Sequence, residues 1–134
     1  MTASGRSYTQ RAEMDPTITM DYIQAVREVY AGGRDLTSPM LSPLFGNFEG
    51  FPPTLIQVGS NEILFSDSLR LRERMQTAKV HCQLEVWNDM WHVSNVSGSE
   101  SGAGHGAYWQ FPAGTVIWSQ IKRQALRMGL SLFI

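Results

Sequence analysis

The sequence predicts an α/β fold built around a parallel sheet. Two short apolar segments, at about 54–58 and 82–87, have the length of strands, and an amphipathic helix at about 66–78 lies between them. Two strands joined by a covering helix form a right-handed βαβ unit, in which the strands are parallel. Further helices at about 20–31 and 118–133 flank this unit. We expect residues 1–134 to form a single domain.

The first helix is predicted from its two ends. Thr19 is a residue type that caps helix N-termini, and the glycines at 32–33 end the helix. The segment between them places three apolar side chains on one face: Ile23, Val26 and Tyr30. Residues 34–53 contain four prolines and several turn residues, which indicates an ordered but irregular connection.

The two strands have different patterns. TLIQV at 54–58 is a continuous apolar run after two prolines, which is typical of a strand buried on both faces. HCQLEVW at 81–87 alternates between apolar and polar residues. The Ser- and Gly-rich residues 94–116 predict a flexible insertion before the last helix. Because two parallel strands leave open edges, we expect the chain to form a homo-oligomer or to be part of a larger fold.

Composition excludes several classes of function. A net charge of −1 gives no basic surface for nucleic acid, and no apolar run is long enough for a membrane span. The chain starts without an apolar leader and has one cysteine, so we expect a cytoplasmic protein. Its three histidines and single cysteine lack the close spacing of a metal site, and no cofactor is indicated.

Two side chains stand out as candidates for chemistry. Glu62 and His92 each follow the carboxyl end of a predicted strand, and parallel strands end at the same rim of a sheet. A carboxylate that holds an imidazole is the arrangement of a hydrolase triad, although two unrelated surface residues would give the same spacing. Ser60 lacks the flanking glycines of a nucleophile elbow and indicates a turn. Trp91, next to the histidine, is a candidate ligand contact.

Several ordered runs resemble one known family. SYTQRAEMDPTIT, YAGG, SPLFGNFEGFPPTLIQVGSNEILFSDSLRLRERM and LEVWNDMWHV, within about residues 4–93, are similar to the C-terminal part of hormone-sensitive-lipase-like esterases, which are α/β-hydrolases. A gapless count from Pro53 puts the family's catalytic acid at Glu62, and the family's histidine falls on His92. Many relatives carry Asp at the position of Asn61 and another near Ser66, so the sequence departs from the family there.

The resemblance implies a partial α/β-hydrolase fold and a carboxylic ester hydrolase. The family's HGG oxyanion motif and G-x-S-x-G elbow are absent, so we expect a fragment that begins after the sixth strand and is inactive alone. A small-molecule ester would be the substrate of the complete enzyme, and we expect Leu36, Met40 and Phe45 to line its pocket. The alternative is a non-catalytic α/β module that forms homo-oligomers.

Overall fold

The computed structural model describes residues 2–92 and the backbone of residues 116–117. Within these residues three helices and three strands follow one another, with one short 3₁₀ turn at Pro43–Phe45 before the first strand. The elements are helix α1 (Ser7–Gln10), helix α2 (Met20–Ala31), strand β1 (Thr54–Gly59), helix α3 (Phe65–Thr77), strand β2 (Cys82–Trp87) and strand β3 (Val116–Ile117).

The described strands form one parallel sheet in the order β2-β1-β3. β1 pairs with β2 along its whole length, from Thr54 opposite Cys82 to Gly59 opposite Trp87. The predicted parallel βαβ unit is therefore confirmed. On its other side β1 pairs with β3 only at Thr54 and Leu55.

β3 was not predicted, because two apolar residues between a Gly-rich segment and a predicted helix show no measurable period. The helix predicted over 118–133 lies outside the described residues, as does the insertion predicted over 94–116 apart from its last residue.

Helix α2 begins and ends where the sequence predicts. The Thr19 side chain accepts a hydrogen bond from the Tyr22 main-chain N–H at 3.2 Å, and Gly32 ends the helix with a φ of +52°. The predicted apolar face is covered only in part, since Ile23 is buried whereas Tyr30 is 44% exposed. The buried residues of α2 are Ile23 and Ala31.

Helix α3 packs on the sheet and contributes Leu71 and Met75 to the core. Met75 is fully buried, and burying a side chain of this size contributes about 1.5–3 kcal/mol. The cluster between α3 and the sheet, called the sheet core below, contains Leu44, Phe48, Ile56, Leu71, Met75, Val80 and Cys82. Leu64 occupies the N-cap position of α3 and supplies no capping hydrogen bond. The first N–H groups of this helix therefore need acceptors from elsewhere.

The N-terminal segment, residues 2–18, supplies one of those acceptors and packs against the start of α3. Ser7 Oγ accepts the Ser66 N–H at 3.0 Å, and Ser66 Oγ accepts the Ser7 N–H at 2.9 Å. The Tyr8 hydroxyl donates to Asp67 Oδ2 at 2.7 Å; burial, together with this charged neighbour, raises the pKa of Tyr8. A second cluster, the N-terminal core, contains Tyr8, Ile18, Ile23, Ile63 and Leu64.

Candidate active site

The loop after β1 holds the Glu62 carboxylate in one orientation. The Gly59 N–H donates to Glu62 Oε1 at 2.7 Å, and the Glu62 N–H donates to the Gly59 carbonyl oxygen at 3.2 Å. These two bonds close a tight turn at the carboxyl end of the strand. Glu62 is 8% exposed. Because Oε1 is used within the loop, Oε2 is left to accept a bond from outside it.

His92 provides that bond. Its Nδ1 lies 3.1 Å from Glu62 Oε2, and its side chain is 22% exposed. A carboxylate can only accept hydrogen bonds, so a neutral His92 must carry its proton on Nδ1. Nε2 is then left as the basic nitrogen. The structure thus brings together the two side chains that the sequence singled out.

A second set of hydrogen bonds joins the two loops that carry these side chains. The Ser60 N–H donates to the Trp87 carbonyl at 2.8 Å, and Ser60 Oγ accepts the Asp89 N–H at 2.9 Å. The Asn61 N–H donates to the Met90 carbonyl at 3.0 Å. In the structure Ser60 lies in a turn, and its hydroxyl holds the loop after β2, residues 88–92, which is called the histidine loop below. No signal in the sequence predicts these cross-loop bonds, because they join residues about 30 positions apart.

The two loops also touch directly at Gly59. A Cβ placed there would lie 2.1 Å from the Met90 carbonyl oxygen, far inside van der Waals contact. The absence of a side chain at Gly59 is therefore what lets the histidine loop approach the end of β1. The histidine loop itself turns at Asp89, which has a φ of +58°, a conformation that aspartate tolerates better than most residues.

Sequence reasoning missed Asp15, a buried carboxylate beside the Glu62-bearing loop after β1, residues 60–64, which is called the acid loop below. It is 3% exposed, and its Oδ2 accepts the Ile63 N–H at 3.2 Å. Its Oδ1 accepts bonds from the Thr17 N–H, the Thr17 hydroxyl and the Ile18 N–H at 3.0, 2.6 and 3.3 Å. Burial on its own raises the pKa of Asp15, but these bonds from Thr17, Ile63 and Ile18 outweigh burial and hold the pKa below its usual value.

The residues predicted to line a pocket are less closely linked to the pair. Trp91 is half-buried and directly precedes the histidine, Leu36 is half-buried, and Met40 is 44% exposed. Phe45 packs against the sheet core, where it helps to cover α3. A lining role for these four side chains stays a prediction.

The described residues offer no alternative centre for metal chemistry. Within residues 2–92 no three His, Cys, Asp or Glu side chains lie close enough to hold a metal ion. His81 is exposed, Cys82 is buried in the sheet core, and His105 lies outside the described part.

In the described part of the chain, no helix combines the length and the apolar character needed to cross a membrane.

Comparison with known proteins gives a consistent result for the first two-thirds of the chain. A sequence model for the alpha/beta hydrolase fold matches residues 1–95. An esterase from Acinetobacter venetianus and an acetyl-hydrolase from Streptomyces hygroscopicus are each 33% identical over 93 residues. Among solved structures, an esterase of the bacterial hormone-sensitive lipase family is 40% identical, with a TM-score of 0.67 over 71% of this chain.

The match extends over a minor part of each relative. It includes 69% of this chain but 31% of the Acinetobacter and Streptomyces proteins, and 32% of the solved esterase. The chain thus spans about a third of the length of the curated relatives that it matches.

Proposed function

Because this chain belongs to the α/β-hydrolase fold family and corresponds to the C-terminal part of hormone-sensitive-lipase-like esterases, we propose that it carries the acid and the general base of an ester hydrolase. Glu62 is the acid and His92 is the base. The observation that carries this proposal is the 3.1 Å contact between Glu62 Oε2 and His92 Nδ1, at the rim where two parallel strands end.

The reaction that this pair serves is acyl transfer through a serine. His92 Nε2 takes the proton of the serine hydroxyl as the oxygen attacks the ester carbonyl, and it then gives that proton to the departing alcohol. A water molecule, deprotonated by His92 in the same way, then attacks the acyl-serine ester, which releases the carboxylic acid and restores the serine. Throughout, the Glu62 carboxylate keeps the Nδ1 proton in place and stabilises the imidazolium that forms.

The serine and the oxyanion donors must come from polypeptide outside these 134 residues. The sequence contains no HGG triplet and no G-x-S-x-G motif, and its Gly98–Gly102 run has Glu100 at the central position. An acid–histidine pair without a nucleophile is only a general base. Loss of one oxyanion donor alone typically lowers the rate by about 10²–10³, so the chain by itself should not turn over esters.

A chimera tests the proposal through gain of activity. The upstream two-thirds of the Acinetobacter venetianus esterase, joined ahead of this chain, would supply the missing nucleophile and oxyanion motif. We expect turnover of a short-chain p-nitrophenyl ester, lowered by about 10⁴-fold in Glu62→Gln and His92→Ala variants. Glu85→Gln is the matched control, because Glu85 lies on β2 and accepts its bonds from Gln57 and Gln83 rather than from His92. A folded chimera whose turnover survives both site substitutions would refute the assignment.

A further inference from the structure

The N-terminal segment contacts both loops of the acid–histidine pair. Asp15 Oδ2 accepts the N–H of Ile63, the residue directly after Glu62. Thr17 Oγ1 donates to Asp15 Oδ1 at 2.6 Å and lies 3.4 Å from the His92 carbonyl oxygen. A single buried carboxylate and its hydroxyl partner thus lie against the acid loop on one side and the histidine loop on the other.

We propose that Asp15 is a positioning residue for Glu62, and this inference rests on the function proposed above. Ile63 is fully buried, so its main-chain N–H has no access to water and needs an acceptor within the protein. Asp15 supplies that acceptor from 48 residues away and thereby fixes the peptide plane between Glu62 and Ile63. That plane sets the direction in which the Glu62 side chain leaves the loop.

The chemistry of the site explains why a carboxylate is needed at position 15. The four N–H and O–H groups from Thr17, Ile18 and Ile63 all point at it as donors, and only a carboxylate offers two acceptor oxygens. An asparagine would keep its single oxygen for Thr17 and Ile18 and would turn an NH₂ group toward the Ile63 N–H. Asp15→Asn therefore breaks the contact with the acid loop while leaving the local turn intact.

Asp35 offers a matched control within the same chain. Asp35 and Thr37 repeat the spacing of Asp15 and Thr17, and Asp35 Oδ1 likewise accepts the Thr37 N–H and hydroxyl at 2.9 and 2.8 Å. Asp35, however, is exposed on the connection before β1. Asp35→Asn thus removes the same charge from the same kind of turn, away from the acid loop.

The test is the tautomer of His92 in the ¹⁵N-labelled full chain, read from long-range ¹H–¹⁵N correlations at a pH where the imidazoles are neutral. In the wild-type chain we expect the Nδ1–H form. Asp15→Asn should shift His92 toward the mixture shown by the exposed His81, with circular dichroism unchanged, whereas Asp35→Asn should leave His92 in the wild-type form. A folded Asp15→Asn variant with the wild-type tautomer would overturn the positioning role and reduce Asp15 to a stabilising residue.

Two further outcomes are separable. If wild-type His92 lacks the Nδ1–H form, the proposed pairing of Glu62 with His92 is wrong. If wild-type His92 has that form, the difference in tautomer between wild type and Asp15→Asn tests the role of Asp15 alone. If Asp15→Asn does not fold, Asp15→Ser takes its place, because a serine oxygen can still accept the Thr17 and Ile18 N–H groups of the turn but leaves the Ile63 N–H without its acceptor. A shift of His92 toward mixed tautomers in Asp15→Ser then supports the proposal, and an unchanged tautomer contradicts it.

Discussion

Gly59→Ala should separate the two loops that carry the acid and the histidine. The added Cβ would lie 2.1 Å from the Met90 carbonyl oxygen and 2.5 Å from the Met90 carbonyl carbon. Real Cβ contacts essentially never fall under 3.0 Å and are ordinary from 3.4 Å, so the oxygen must retreat by 3.0 − 2.1 = 0.9 Å at least and by 3.4 − 2.1 = 1.3 Å for relaxed packing. The neighbours are backbone atoms, which cannot swing aside as a side chain would.

This displacement is large compared with the tolerance of the site. Glu62 and His92 are held at 3.1 Å, and a retreat of about 1 Å takes them beyond hydrogen-bond distance. A misplacement of about 1 Å can cost roughly 10² in rate, so kcat/KM of the chimera should fall by about that factor. Overpacking should also lower the free energy of unfolding by about 1–3 kcal/mol.

The control for this experiment is Gly33→Ala. Gly33 has a φ of +79° and no atom within 4 Å of an added Cβ, so alanine costs about 1–2 kcal/mol of backbone strain without moving a neighbour. Both variants should therefore unfold at lower temperature, but only Gly59→Ala should lose ester turnover. Equal turnover in the two variants would refute the claim that the close approach at Gly59 sets the geometry of the pair.

Three other predictions concern the isolated chain, Asp15 and Tyr8. The purified chain alone should hydrolyse a p-nitrophenyl ester no faster than its His92→Ala variant, and clear His92-dependent turnover would contradict this. Asp15 has a folded-state pKa below its unfolded value of about 3.8, so its stabilising effect is complete above that pH and is lost as the pH falls through the folded pKa. The free energies of unfolding of wild type and Asp15→Asn, measured by denaturant titration, should therefore converge as the pH falls. A difference that stays constant with pH would contradict this role of the Asp15 charge. Tyr8→Phe should lower the free energy of unfolding by about 1–3 kcal/mol, because it removes the hydrogen bond from the buried Tyr8 to the half-buried Asp67 carboxylate. Tyr22→Phe changes a side chain that is 60% exposed and should change the free energy of unfolding little.

Local pattern was enough to predict the elements that position the site. The continuous apolar run at 54–58 and the alternation at 82–87 predict β1 and β2, and the spacing of Leu71 and Met75 predicts α3. Parallel pairing then follows from the crossover helix, and it places Glu62 and His92 at one rim. These elements could be predicted because each pattern depends on residues that are close together in the sequence.

The N-terminal segment shows what local pattern cannot reveal. Residues 2–18 have no apolar period, yet Ser7, Tyr8 and Asp15 are buried through bonds to residues 63–67, about 50–60 positions later. Polar side chains that satisfy buried main-chain groups leave no hydrophobic signature in the sequence. The bonds of Ser60 and Asn61 to the histidine loop were hidden as well, because they join residues about 30 positions apart and are made largely by main-chain groups that every residue carries.

The most direct test of the acid–histidine assignment is the His92 tautomer in wild type and in Glu62→Gln. Glu62 uses Oε1 for the Gly59 N–H and Oε2 for His92. A glutamine that keeps the Gly59 bond presents its NH₂ group to Nδ1, which must then become an acceptor. We predict the Nδ1–H form in the wild-type chain and the Nε2–H form in Glu62→Gln. The same tautomer in both proteins would show that Glu62 does not orient His92 and would contradict its role as the acid.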